Sequence, residues 1–185
     1  MANINVGAFH AENVNNIKIE GAVDILENST NHTILLSSVN TFESVGMVTT
    51  NGADFISSSC PTSLNITCFL IFTGGIDTGV MNGYGDINIT DAYDIVFRGE
   101  SNIGTINSTS KNNLTLEENS TLNIKNISHI ENIMMKGGSS LTFDHDSSLQ
   151  STIEKLQAMS GEIVLQVNNA DLTINDLQID DANTQ

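Results

Sequence analysis

The chain has 185 residues, enough for one folded domain with a sizeable core and short for two, so a single domain over residues 1–185 is expected. Its 22 Ile, 14 Leu, 10 Val and 7 Phe lie well above the apolar content at which chains stay disordered. The net charge of −16, from 22 acids against five Lys and Arg98, repels nucleic-acid phosphates and anionic membrane surfaces, so neither is an expected partner.

In chain order, short alternating bursts dominate: Ile17-x-Ile19, Val23-x-Ile25, Ile34-x-Leu36, Leu64-x-Ile66, Ile87-x-Ile89, Ile95-x-Phe97, Leu114-x-Leu116, Leu122-x-Ile124, Leu141-x-Phe143, Ile163-x-Leu165-x-Val167, Leu172-x-Ile174 and Leu177-x-Ile179. Period two with β-branched enrichment is the mark of short strands with one buried face. The chain therefore reads as all-β. Asn51-Gly52, Gly74-Gly75, Asn82-Gly83 and Gly137-Gly138 lie between bursts and tolerate the positive φ of turns. Ser151 to Met159 is the one helix candidate, because Ile153, Leu156 and Met159 fall at threes. The longest apolar run, Cys68-Phe69-Leu70-Ile71-Phe72, is far shorter than the about 20 residues needed to cross a bilayer. No direct membrane insertion is expected. The first positive charge is Lys18 and no apolar stretch follows Met1-Ala2-Asn3, so no secretory signal is expected in this chain.

Four bursts extend into a longer form: Ile17-Lys-Ile19-Glu-Gly-Ala22, Ile87-Asn-Ile89-Thr-Asp-Ala92, Leu122-Asn-Ile124-Lys-Asn-Ile127 and Leu172-Thr-Ile174-Asn-Asp-Leu177. A strand that turns a corner and resumes shifts its inward phase by one residue, which is how a β-solenoid coil is built. The starts are spaced at multiples of about 17 to 18 residues, suggesting a repeat of that length. A leucine-rich repeat needs an apolar residue three positions earlier, and Asn119 and Asn169 stand there in two copies. A β-sandwich or jelly roll is the alternative to a parallel β-helix (β-solenoid), although nine aromatics and no Trp give little to fill the space between two sheets. Asn, Ser and Thr, 24, 19 and 18 residues, make one third of the chain. Neutral side chains of this kind stack in ladders without the repulsion of like charges.

Asn113-Leu-Thr-Leu-Glu-Glu-Asn-Ser-Thr-Leu-Asn-Ile124 and Gly138-Ser-Ser-Leu-Thr-Phe143 resemble passenger segments of bacterial autotransporters and related β-helical surface proteins, a likeness covering most of residues 85 to 180. The resemblance implies a right-handed parallel β-helix, export to the cell surface, and adhesion or display. The chain departs from that pattern in showing neither a signal peptide nor a membrane-barrel segment.

Cys60 and Cys68 flank seven residues, a spacing open both to a small disulfide loop and to two separate thiols. Eight Asn-x-Ser/Thr sequons begin at Asn28, Asn31, Asn65, Asn88, Asn107, Asn113, Asn119 and Asn126, which the abundance of Asn, Ser and Thr largely explains. Asp77-Thr78-Gly79 matches the aspartic-protease triplet, whose water activation needs a second Asp, and no second copy exists. Asp144-His145-Asp146 invites a metal or, with Ser139 and Ser140 nearby, a triad, yet neighbouring residues of a strand face apart, so Asp144 and Asp146 share a face that His145 does not, and the surrounding acid density is too low for calcium. Asn82-Gly-Tyr-Gly-Asp86 is similar to a calcium-binding nonapeptide but lacks a tandem copy. Asp91, Asp94, Glu117 and Glu118 could form carboxylate pairs, with only Tyr84 and Tyr93 as Tyr platforms for a sugar. His10, His32 and His129 stand without ligand spacing. No cofactor or metal is expected, and the chain is expected not to be an enzyme.

The reading reached from sequence is a non-catalytic extracellular or bacterial-surface module, structural or adhesive, with protein or glycan partners. Its alternative is a self-assembling fibre subunit joined through exposed strand edges. A carbohydrate-active or aspartic-type hydrolase is the third reading.

Overall fold

The computed structural model describes residues 3–26, 33–51, 53–58, 68–77, 87–89, 93–144, 150–159, 161–168 and 171–180. Among the described residues strands pair only in parallel, each with a strand one level away, and there is no helix. The architecture is a parallel β-solenoid with three walls. Level one holds β1 (Ile4–Val6), β2 (Phe9–Glu12) and β3 (Asn16–Ile19), and level two β4 (Val23–Ile25), β5 (Thr33–Ser37) and β6 (Thr41–Ser44). Level three holds β7 (Val48–Thr49), β8 (Asp54–Ser58) and β9 (Cys68–Phe72), and level four β10 (Ile76–Asp77), β11 (Ile87–Ile89) and β12 (Tyr93–Phe97). The fifth and sixth levels are single bent strands, β13 (Glu100–Leu116) and β14 (Thr121–Lys136), each contributing to all three walls. The last two are β15 (Ser140–Asp144) with β16 (Gln150–Met159), and β17 (Val164–Asn168) with β18 (Asp171–Asp180).

The register runs the length of the stack. On the first wall Asn5, Asp24, Thr49, Asp77, Asn102, Asn123, Thr142 and Gln166 stand one above another. On the third wall the inward column is Ile17, Phe42, Leu70, Ile95, Leu114, Ile133, Leu156 and Leu177. Alternate residues of each wall thus fill one continuous apolar rod. Rings of Phe42, Phe55 and Phe72 meet edge-on or tilted with centroids 5.5 to 6.1 Å apart, and Phe97 stacks on Phe72 at 5.5 Å. The early levels are therefore packed by aromatics and the later ones mainly by Ile, Leu and Met.

The corners explain why the helix expectation for Ser151 to Met159 fails. Those residues form β16, paired in parallel with β14 and β18. Ile153 faces inward on the second wall, the chain bends at Glu154, and Leu156 faces inward on the third. A bend shifts the phase of two and leaves a spacing of three, which imitates helical periodicity. β14 repeats the device, with Ile124, Ile127, Ile130 and Ile133 all buried. The suggested repeat of about 17 to 18 residues is also corrected. The four extended bursts lie on different walls: Ile17 on the third, Ile87 and Leu172 on the second, and Leu122 on the first. Paired residues are instead 19 apart for Ile4 and Val23 and 32 apart for Phe55 and Ile87.

The corner between the third and first walls is built on glycine. A Cβ on Gly46 would lie 2.6 Å from the Ala22 backbone nitrogen, and one on Gly74 would collide with the carbonyl carbon of Gly46. At Gly75, with φ +86°, a Cβ would run into the Glu100 carbonyl oxygen. Backbones of successive levels approach here too closely for a side chain, and Gly75 also needs the left-handed region. Asn119 adopts φ +59° at the same corner, a conformation its side chain tolerates.

Gly75→Ala is expected to lower unfolding free energy by roughly 2–4 kcal/mol, whereas Asn119→Gly changes it by less than about 1 kcal/mol. Urea denaturation of the two variants checks this, and the reverse order would contradict the close-packed corner. Phe72→Ala should cost about 3–5 kcal/mol by the same measurement, because it opens a cavity between three other rings.

Candidate functional site

The outward residues of the walls sit at the spacing of the backbone ladder, so identical side chains on adjacent levels meet directly. The third wall shows this best. Asn132 Nδ2 donates to Asn113 Oδ1 at 2.8 Å, and Asn113 Nδ2 donates to Asp94 Oδ1 at 2.9 Å. On the second wall Asn107 Nδ2 donates to Asn88 Oδ1 at 3.0 Å, and on the first Asn123 Nδ2 donates to Asn102 Oδ1 at 2.8 Å. Gln157 Nε2 continues the theme to Gln178 Oε1 at 3.2 Å, and Lys136 Nζ bonds Glu117 Oε2 at 2.8 Å.

Beside the Asp94, Asn113, Asn132 ladder runs a second outward column, Ile71, Val96, Thr115 and Met134, in register through β9, β12, β13 and β14. All four are half-buried although they point away from the core. Val96, Thr115 and Met134 of this column, with Phe69, form a shallow groove of about 370 Å³ across the middle of the wall, closed at one end by Lys155 and Gln157. The groove has an apolar floor and one edge of hydrogen-bonding amides.

The residues singled out in the sequence are scattered. Asp77 lies on the outer column of the first wall between Thr49 and Asn102. Gly79 and the calcium-like segment ending at Asp86 lie outside the described residues, as do Cys60, His32, His145 and Asp146. The backbone of Cys68 opens β9 opposite Tyr93, while the disulfide reading rests on Cys60 and so falls outside the described residues too. Asp144 closes β15 opposite Asn168. Asp94 and Glu117 are separated into different ladders, with partners Asn113 and Lys136. His10 is exposed on β2. His129 takes φ +60° at the corner between the second and third walls, where Asn13 and Ser38 adopt the same conformation, and its Nδ1 is 3.3 Å from Ser128 Oγ. Among the described residues no cluster of three or more His, Cys, Asp or Glu is placed to hold a metal.

Two features escaped the sequence reading. The outward apolar column draws one residue from each of four levels, so only the register reveals it. The glycine corner was visible as Gly74-Gly75 and Gly137-Gly138, but its close approach is a relation between levels. No family model matches the chain, and no curated protein or solved structure matches it.

Asn113→Asp tests the ladder. It places two carboxylates opposite each other at residues 94 and 113 and removes the donor to Asp94, for an expected loss of a few tenths to about 1 kcal/mol at neutral pH. Chemical denaturation of wild type and variant at low and high salt checks this: the gap should narrow as salt screens the two carboxylates.

Proposed function

We propose that the chain is a non-catalytic structural and adhesive module of an extracellular or bacterial-surface β-solenoid, with the third-wall groove as its contact face for a protein or neutral glycan. The groove carries the reading. Its floor of Phe69, Val96 and Met134 offers apolar contact, and the ladder beside it sets the amides of Asn113 and Asn132 and the carboxylate of Asp94 at a fixed spacing. Because the backbone ladder holds these side chains in place, a partner is met by a surface whose ordering cost is already met by folding. The net charge of −16 favours neutral or basic partners over acidic ones. The uncharged ladders suit a surface exposed to water, since they keep the walls polar without crowding like charges.

Binding of the purified chain to an array of neutral and acidic glycans and to immobilised extracellular-matrix proteins tests the reading. Val96→Glu combined with Met134→Glu changes only outward positions. It should reduce binding at least tenfold while leaving the β-type far-ultraviolet spectrum in place. Absence of binding by the wild type, or binding unchanged by the double substitution, would overturn the proposal.

A further inference from the structure

The ends of the stack differ from its middle. Among the described residues β1, β2 and β3 pair only with the second level, and β17 and β18 only with the seventh. An edge strand presents unpaired N–H and C=O groups that template another strand. At the last level the apolar residues that should face the rod are uncovered: Leu177 is 54% exposed and Ile179 73%. Leu165, Leu177 and Ile179 line a hollow of about 390 Å³ with Leu156, Ala158 and Ile163 behind them. At the first level Ile4 is exposed, and Val6, Phe9, Ala11 and Ile17 are only half-buried.

We propose that these two ends form one interface, in which the first level of a second copy of this chain becomes the next rung after the last level of the first copy. The columns already on the page decide the fit. Continuing each by one level sets Ile4 on Leu165, Phe9 on Leu172, Ile17 on Leu177 and Ile19 on Ile179, so the uncovered apolar positions meet apolar positions. Outside, Asn16 follows Asp176, the same pairing as Asn113 with Asp94. Lys18, the one Lys or Arg in either end level, follows Gln178 and lies diagonally between Asp176 and Asp180 of the neighbouring copy; it also pairs with Glu20 at 3.3 Å, and so stands beside the one like-charge contact of the join, Glu20 on Asp180. A lysine side chain spans the diagonal distance between adjacent levels. The contact joins unlike surfaces and the operation repeats, so it generates an open filament and not a closed dimer. The long-range repulsion of copies carrying −16 each opposes this, and salt relieves it. The inference is independent of the third-wall groove, which a monomer presents equally well.

Sedimentation velocity and negative-stain microscopy of the full chain, from micromolar to millimolar concentration and across a salt series, test it. The expected result is filaments of uniform width that increase with concentration and salt, with a subunit repeat of about 38 Å, eight levels at about 4.8 Å each. Ile179→Lys with Leu177→Lys, both at exposed edge positions, should retain the β-type spectrum and sediment as a 19.8 kDa species. Added in small proportion to wild type, this variant should shorten the filaments, because its first level still joins a growing end and its last level accepts nothing. A wild-type chain that stays at 19.8 kDa throughout, a closed dimer of fixed size, or a variant that assembles as well as wild type would each overturn the inference.

Discussion

Each wall residue is held about 4.8 Å from its counterpart on the next level by parallel main-chain hydrogen bonds, such as Val23 N to Met47 O and Val45 N to Ile19 O, 2.9 and 2.8 Å. That spacing is the constraint from which the other features follow. Side chains in one column have no room to avoid one another, so a column must be made of groups that attract or at least tolerate their own kind. Inside, Ile, Leu and Phe satisfy this by dispersion and by excluding water. Outside, amides satisfy it because each is both donor and acceptor.

The same spacing governs the exceptions. Two buried serines are bonded to the adjacent level: Ser101 Oγ accepts from Ile76 N at 3.2 Å, and Ser151 Oγ accepts from Ile127 N at 3.2 Å while donating to Asn126 Oδ1 at 2.6 Å. Ser44 and Ser120 instead donate to the carbonyls of Gly46 and Glu117 in their own level, and the hydroxyls of Ser57 and Ser139 have no partner among the described residues. Serine is small enough to sit in the rod and polar enough to repair a ladder at a corner. Glu117 and Lys136 set opposite signs on adjacent levels of one column, 2.8 Å apart. Asn51 anchors another corner by donating to Asp24 Oδ1 at 3.0 Å and Ile25 O at 2.6 Å.

Much of the fold was legible because each wall is short and half-buried, so period-two bursts such as Ile87-x-Ile89 and Leu122-x-Ile124 reported real strands with real inward faces. The composition pointed to stacking, since few other folds ask for 24 Asn alongside 22 Ile. What escaped was everything that depends on which residue lies above which. Ile17 and Ile87 look like copies of one motif yet occupy different walls, and Ile153 with Leu156 looks helical because a bend intervenes. The groove was hidden for the same reason: Phe69, Val96 and Met134 are ordinary strand residues until the register sets them side by side.

The uneven step between levels has an effect of its own. Phe55 pairs with Ile87 across 32 residues, while Ile87 pairs with Ile106 across 19, and both contacts are made in the same parallel register. The rod therefore counts rungs, not residues. Extra chain between two rungs adds only the slowly growing entropy of a larger loop, so connecting segments are free to diverge in length and chemistry while the scaffold beneath them stays unchanged. A protein built this way can acquire new surface decoration by insertion, one level at a time, without renegotiating its core.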